Sequence, residues 1–170
     1  MACGLEELSI LFGWVFVSCV GSASHFLYKW LGCISFIELF VAVNESVWEH
    51  LKLLVWPLLG WWLVSLIWRE FDDCLQGLVL SEIYSVCTML AVYYTYMGIS
   101  AYESLVIDIL IFLLSVFTGL LLAETSQLFS RFCLSISAVL FFIGFVTLSL
   151  ARPSLPLFFD KNHSTYGPVC

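Results

Sequence analysis

The sequence predicts an all-α integral membrane protein, a polytopic helical bundle with about five transmembrane helices. Of its 170 residues, 62% are hydrophobic and only 11% are charged, and the mean hydropathy is +1.03. Soluble domains carry charges at roughly a quarter of their positions. Five stretches also reach the about 20 apolar residues that a helix needs to cross a bilayer. Composition therefore excludes a soluble domain, and the lipid bilayer is the expected partner.

The five apolar segments follow one another closely, at residues 5–27, 48–68, 75–97, 105–129 and 132–150. The connections leave no room for a separate soluble domain, so we expect a single domain over residues 1–170. The segment at 5–27 is long for a secretory signal and has no basic residue before it, which indicates a retained helix. The apolar loop 29–43 is too short to span and is predicted to lie along the membrane surface. The tail, residues 152–170, is predicted to be a short ordered cap.

Two further features of the composition restrict partners and cross-links. Six lysines and arginines in the whole chain leave no basic patch, so nucleic acid is not an expected partner. The seven cysteines form no C-x-x-C pair, and their odd number argues against a disulfide framework while leaving room for one bridge.

The stretch that departs most from this apolar background is residues 44–57, NESVWEHLKLLVWP. It opens the second segment and places Glu45, Glu49, His50 and Lys52 within eight positions. Ionisable side chains at membrane depth are costly and usually functional. Read as helix, the spacing i, i+4, i+7 puts Glu45, Glu49 and Lys52 on one face and His50 on the next.

A structural interpretation of the same stretch also stands. Ser46 followed three positions later by Glu49 matches a capping box, in which both side chains satisfy free amides. The helix is therefore predicted to begin between residues 44 and 47, with Asn44 or Ser46 as its cap. Pro57 is predicted to bend it. Capping accounts for the acidic residues but not for an imidazole at His50.

Connectivity predicts that the polar groups share one membrane face. We call the face where the first segment starts side A and the opposite face side B. With five crossings, His25 at the end of the first segment, residues 44–52, and Asp108 near the start of the fourth all lie near side B. An aspartate within a span costs about 2.5–3.5 kcal/mol, so Asp108 is expected to face the bundle. We therefore expect His25, Glu45, Glu49, His50 and Asp108 to converge on one pocket.

The candidate polar site comprises these five residues and two neighbours of the motif: His25, Asn44, Glu45, Glu49, His50, Lys52 and Asp108. Imidazole nitrogens and carboxylate oxygens are ligands suited to zinc or a similar divalent ion. Within the set, the candidate metal ligands are His25, Glu49, His50 and Asp108. The basic residues Lys29, Lys52, Arg152 and Lys161 outnumber Arg69 and Arg131, which favours side B in the cytoplasm.

The motif NESVWEHLKLL, preceded by HFLYKW and followed by WP, resembles a bacterial family of small multi-pass membrane proteins of unknown function. The tail, PLFFD and then TYGP, is similar to the carboxy-terminal pattern of that family. The resemblance covers essentially the whole chain. It implies a bacterial cell membrane location and supplies no catalytic residues.

Three functions fit these features. The first is transport or binding of a small ligand or ion, since a helix start, a proline-containing span and an intramembrane carboxylate build such sites; five spans without a repeat would then favour a homo-oligomer. The second is a membrane-embedded metal-dependent hydrolase, with a spare carboxylate acting on metal-bound water. The third is a structural or accessory role, in which the polar cluster holds the bundle together.

Overall fold

The computed structural model describes residues 2–100, 103–125 and 130–170, with side chains from residue 8 onward. Five long helices follow in order: α1 (Ala2–Trp30), α2 (Val47–Ser65), α3 (Phe71–Ser100), α4 (Leu105–Thr125) and α5 (Arg131–Ala151). Two short 3₁₀ turns, Ser35–Leu39 and Pro156–Phe158, lie in the α1–α2 loop and in the tail. The predicted all-α fold is confirmed. The end of the predicted segment 105–129 falls on residues 126–129, outside the described ranges.

Among the residues that the structure describes, four helices are long and apolar enough to cross a membrane: residues Leu8–Trp30 of α1, and α3, α4 and α5. Large apolar side chains such as Phe12, Ile99 and Leu110 are exposed on them. Contiguous exposed apolar surface of this kind is expected of a protein surrounded by lipid. Four of the described helices therefore have the length and hydropathy of a membrane span, whereas the sequence predicted about five transmembrane helices.

The exception is α2, which carries three ionisable residues and four tryptophans in its 19 residues. Twelve of those residues are buried within the protein. Its beginning contacts the tail through Trp48 and Phe158, and just beyond its end Arg69 pairs with Glu124 at the end of α4. Because other helices cover it, α2 tolerates polar groups that a lipid-facing helix could not.

Tryptophans tie α2 to its neighbours. The Trp48 ring lies between Phe145 and Phe158, with centroid distances of 4.8 and 4.6 Å. Its Nε1 donates to Ser149 Oγ at 3.0 Å. Trp62 Nε1 likewise donates to a serine hydroxyl on α3 at 2.9 Å. Buried indoles need such an acceptor, so these pairs fix the rotation of α2 within the bundle.

Glycines allow α1 and α4 to approach their neighbours closely. A Cβ atom on Gly21 would collide with the Leu53 carbonyl of α2. That carbonyl lies four residues before Pro57, which has no N–H to donate to it. The helix continues through Pro57 as one element, and the predicted bend stays a prediction. On the other side, a Cβ on Gly119 of α4 would collide with Ser85 of α3.

The tail is fastened to the α1–α2 loop on side B. Val169 N donates to Val43 O at 2.8 Å, and a disulfide joins Cys33 to Cys170 with 6.0 Å between the Cα atoms. The odd number of cysteines is compatible with one disulfide, and the structure forms it between Cys33 and Cys170. Loop and tail together form a layer over the start of α2, which is where the candidate site lies.

Candidate functional site

The first turn of α2 begins as the sequence predicts. The helix starts at Val47 with Ser46 as its N-cap, whose Oγ accepts from Glu49 N at 3.4 Å. The second half of the capping box does not form. Glu49 instead accepts from Val43 N at 3.1 Å, and Ser46 N donates to Asn44 Oδ1 at 2.9 Å. The side chains of Glu49 and Asn44 thus accept hydrogen bonds from backbone amides that precede the helix.

Glu49 and Lys52 form a buried pair away from the histidines. Lys52 Nζ lies 2.7 Å from Glu49 Oε2 and donates to the Glu38 carbonyl at 2.7 Å. The side chains of Lys52 and Glu49 are 0% and 3% exposed. The Glu38 carboxylate pairs with Arg152 at 2.6 Å and accepts from Tyr28 OH at 3.2 Å. Together with the Glu38–Arg152 contact, the pair links α2, the loop and the tail.

A second cluster forms on the adjacent face of α2 and consists of His25, Glu45 and His50, here called the triad. The Glu45 carboxylate lies between the imidazoles, with Oε1 3.7 Å from His25 Nε2 and Oε2 3.6 Å from His50 Nε2. The two imidazole centroids are 5.3 Å apart. One donor comes from α1, one from the loop and one from α2. The triad therefore exists only when these three segments are assembled.

The second nitrogen of each histidine determines which atom is free to bind. His50 Nδ1 lies 2.9 Å from the Ser46 carbonyl. Because a carbonyl only accepts, Nδ1 carries a proton, and in a neutral imidazole Nε2, on the side of Glu45, is the nitrogen with the lone pair. This is the outer hydrogen bond that orients metal-binding histidines. His25 Nδ1 is buried and has no hydrogen-bond partner among the described residues.

The tail positions the Glu45 loop. Glu45 N donates to Asp160 Oδ2 at 3.0 Å, and Asn44 Nδ2 donates to Gly167 O at 2.9 Å. Asp160 is fully buried and also contacts His163 Nδ1 at 2.8 Å. Burial alone would raise the pKa of Asp160, but hydrogen bonds from the amide of Glu45, from His163 and from the amide of Asn162 outweigh it and hold the pKa below its usual range. Asn44 is thus a structural neighbour of the triad.

The triad opens onto a cavity of about 310 Å³ on side B. Asp108 lines the same cavity, and its Oδ1 is buried without a hydrogen-bond partner among the described residues. Asp108 therefore faces the bundle, as the cost of placing it in lipid predicts. Glu103 closes the rim by accepting from Tyr93 OH at 3.0 Å and from Lys161 Nζ at 3.2 Å.

The structure thus sorts the seven sequence-predicted residues into two groups. His25, Glu45, His50 and Asp108 share the cavity, whereas Glu49, Lys52 and Asn44 stabilise the loop and the helix start. Of the four candidate metal ligands, His25, His50 and Asp108 line the cavity, whereas Glu49 pairs with Lys52. His₂Glu is a ligand set found in catalytic zinc sites, which keep a further position open.

The geometry of the triad fits a metal ion. Bonds of about 2.0–2.1 Å at tetrahedral angles place neighbouring donor atoms about 3.3 Å apart. The two imidazole–carboxylate separations are 3.7 and 3.6 Å, and donor atoms of all three residues lie within 4.8 Å of one another. All of these separations exceed the tetrahedral value, so binding would require the side chains to rotate toward the ion. Zinc, or a divalent ion of similar preference, suits two imidazoles and one carboxylate.

Sequence reasoning did not single out three important acidic residues. Glu38 anchors the buried pair, Asp160 holds the Glu45 loop, and Glu82 is a fully buried carboxylate in the middle of α3. Glu38 and Glu82 are isolated charges within apolar stretches, CISFIELFVAV and LVLSEIYSV. The criterion that identified Asp108, a charge within a predicted span, would therefore have found Glu82, whereas Glu38 lies in the loop predicted to follow the membrane surface.

Comparison with known proteins gives a family without an assigned activity. No curated protein and no solved structure matches the chain. One family matches over residues 5–168, nearly the whole chain. The chain belongs to DUF6512, a family of unknown function.

Proposed function

We propose that this membrane protein binds a divalent transition-metal cation on side B, as the binding step of cation transport. His25, Glu45 and His50 would be its ligands, and Asp108 would supply a further oxygen within the same cavity. The observation that carries the proposal is the convergence of three donor atoms from three separate segments within 4.8 Å. A bound cation would also neutralise the charge of Glu45 between two imidazoles.

The surroundings of the triad support binding rather than structure alone. The Glu49–Lys52 pair shows what a purely structural polar cluster looks like in this fold, with short contacts of 2.7 Å and no exposed surface. The triad has longer separations, and its side chains are 25–36% exposed to the cavity side. A second polar cavity of about 420 Å³ lies near side A and includes Arg69, Glu124 and Gln76. Polar cavities near both faces suit a transported ion.

The test is zinc binding by protein purified in detergent, measured by equilibrium dialysis and elemental analysis. The wild type should bind one zinc ion per chain. His25→Ala, Glu45→Gln and His50→Ala should each weaken binding by more than the about 10–100-fold that loss of an outer partner costs. Proteoliposomes containing a zinc-sensitive dye then show whether the bound ion crosses the membrane.

The chain provides a matched control for each residue type. His163 is the third of its three histidines and contacts Asp160 rather than the triad. Glu103 lines the same cavity but pairs with Tyr93 and Lys161. Glu103→Gln should keep zinc binding. His163→Ala removes only an outer contact of the Asp160 anchor and should weaken binding far less than the triad variants. A wild type that binds no zinc, or controls that lose as much as the triad variants, contradicts the proposed ligands.

A second function, metal-dependent hydrolysis, is favoured by one observation. The unpartnered Asp108 carboxylate shares the cavity with a three-ligand set that leaves a position open. A metal ion there would acidify a bound water, and Asp108 would accept its proton. In that case Asp108→Asn should retain zinc yet lose zinc-dependent hydrolysis of a fluorogenic ester. Loss of zinc flux with no hydrolysis in the wild type would favour transport.

Location and assembly complete the proposal. The resemblance of the motif and tail to a bacterial membrane family supports the bacterial cell membrane as the site of action, with the lipid bilayer as the surrounding partner. Transport by a chain with five long helices and no repeat favours a homo-oligomer. Mass measurement of the protein in native detergent complexes tests this assembly directly.

A further inference from the structure

Glu82 is an acidic residue that the proposed metal site does not use. It lies in the middle of α3 and is 1% exposed. Both of its carboxylate oxygens are buried and have no hydrogen-bond partner among the described residues. A buried carboxylate that is charged and unpaired is very costly. Glu82 must therefore hold a proton or a cation.

Within the part of the chain that the structure describes, no lysine or arginine pairs with Glu82. Five of its six basic residues pair with other carboxylates, and Lys29 is exposed in the last turn of α1. The pairs are Lys52–Glu49, Arg69–Glu124, Arg131–Asp72, Arg152–Glu38 and Lys161–Glu103. Glu82 is thus neutralised by something other than a lysine or an arginine.

The ionisable groups on the helices packed against α3 also lie away from the level of Glu82. They occupy the first two turns or the last turn of their helices: Glu49, His50 and Lys52 on α2, Asp108 and Glu124 on α4, and Arg131 and Cys133 on α5. On α3 itself, Tyr84 and Cys87 are turned roughly 140–160° away from Glu82 around the helix axis.

Glu82 lies on the same face of α3 as Met89, a residue that lines the side-B cavity. Met89, which lines that cavity, lies seven residues further on, about two helical turns or 10 Å. Ser85 lies between them, and its Oγ is buried with no hydrogen-bond partner among the described residues. Ser85 therefore lies on the same face as Glu82 and Met89, and no hydrogen bond joins it to Glu82 among the described residues.

We propose that Glu82 is a proton-binding site in the middle of the bundle that exchanges its proton with the side-B cavity by way of Ser85. The ligand is a single proton. It passes between the Glu82 carboxyl group and a water molecule in the cavity, and no other bond is made or broken. Two carboxylate oxygens without further oxygen ligands suit a proton better than a metal ion, which needs several ligands. This site is separate from the proposed metal site.

The experiment is infrared spectroscopy of the protonated carboxyl band in the full-length protein, in water and after transfer to deuterium oxide. Wild type should show a carboxyl band that shifts on deuteration, and Glu82→Gln should lose that band. Glu70→Gln, which changes an exposed glutamate at the start of α3, should keep it. A band unchanged in Glu82→Gln overturns the proposal, as does a band that appears only when sodium is removed.

The rate of the deuterium shift tests whether the Glu82 proton exchanges with water in the cavity. Ser85→Ala should keep the band but slow its deuterium shift relative to wild type. A wild-type band that never shifts while the protein stays folded identifies a permanently neutral acid and overturns the proposal. An unchanged exchange rate in Ser85→Ala overturns the route through Ser85. If Glu82→Gln does not fold, Glu82→Asp keeps a carboxyl group at this position and should shift the band, and a band unchanged in that variant overturns the proposal. Zinc binding by the folded variants separates this result from the metal site.

Discussion

Two polar clusters meet at the start of α2, and they differ in how far their hydrogen-bonding groups are satisfied. In the buried pair, Lys52 contacts Glu49 and the Glu38 carbonyl, both at 2.7 Å. In the triad, the nearest imidazole and carboxylate atoms are 3.6–3.7 Å apart and border a cavity. Both clusters contain a carboxylate and a basic nitrogen. Residue type alone therefore does not tell the two clusters apart, whereas burial and contact distance do.

The largest expected effect is on the stability of the buried pair. Lys52→Met should lower the free energy of unfolding by about 3–5 kcal/mol, because it leaves Glu49 buried without its cation. Zinc affinity should change little, since Lys52 lies on the other side of the helix from the cavity. Unfolding in mixed detergent micelles and zinc dialysis measure the two quantities on the same preparation.

A double variant distinguishes an unpaired charge from simple loss of packing. In Lys52→Met with Glu49→Gln, the amide oxygen can still accept from Val43 N, and no buried charge remains. Replacing a buried pair by neutral groups is often close to neutral for stability, so at least half of the loss should be recovered. If Lys52→Met instead abolished zinc binding while stability held, the division between the two clusters would be wrong.

Periodicity predicted the helices and the start of α2 but failed for Glu45. The spacing i, i+4, i+7 placed Glu45 on one face with Glu49 and Lys52. The helix begins only at Val47, so Glu45 lies in the loop before the Ser46 cap, where helical geometry does not apply. It is free to turn toward the histidines. Glu49 lies on the helix and faces the buried side. The ligand set predicted from the sequence and the set that we propose therefore differ in one residue, Glu45 in place of Glu49.

Contacts between distant parts of the chain were beyond sequence reasoning. Asp160 binds a loop amide 115 positions earlier, and Cys170 pairs with Cys33 across a separation of 137 residues. Such partners follow from the packing of the whole bundle and leave no local pattern. The disulfide also bears on sidedness. Disulfides persist in oxidising compartments, so it favours side B outside the cytoplasm, against the count of basic residues.

The pH dependence of stability should expose the anchor of the Glu45 loop. The pKa of Asp160 is lower in the folded protein than in the unfolded chain, so its contribution is present at neutral pH and is lost as pH falls below about 4 through the folded value. Asp160→Asn should cost about 1–3 kcal/mol at pH 7 and flatten the acid limb of the stability curve. Unfolding measured between pH 3 and 7 checks this. An acid limb as steep as that of wild type would contradict it.

The smallest effect on stability and the largest on binding are expected together, at His50. In His50→Phe the ring still packs beside His25, and the Ser46 carbonyl keeps its helical bond from the amide of residue 50, at 3.2 Å in the wild type. Loss of the Nδ1 bond should cost about 0.5–1.5 kcal/mol at most. Zinc binding should be lost, because phenylalanine offers no lone pair. This is the reverse of the result expected for Lys52→Met. Should the phenylalanine variant retain zinc, His50 is not a ligand, and the triad becomes as structural as the buried pair beside it.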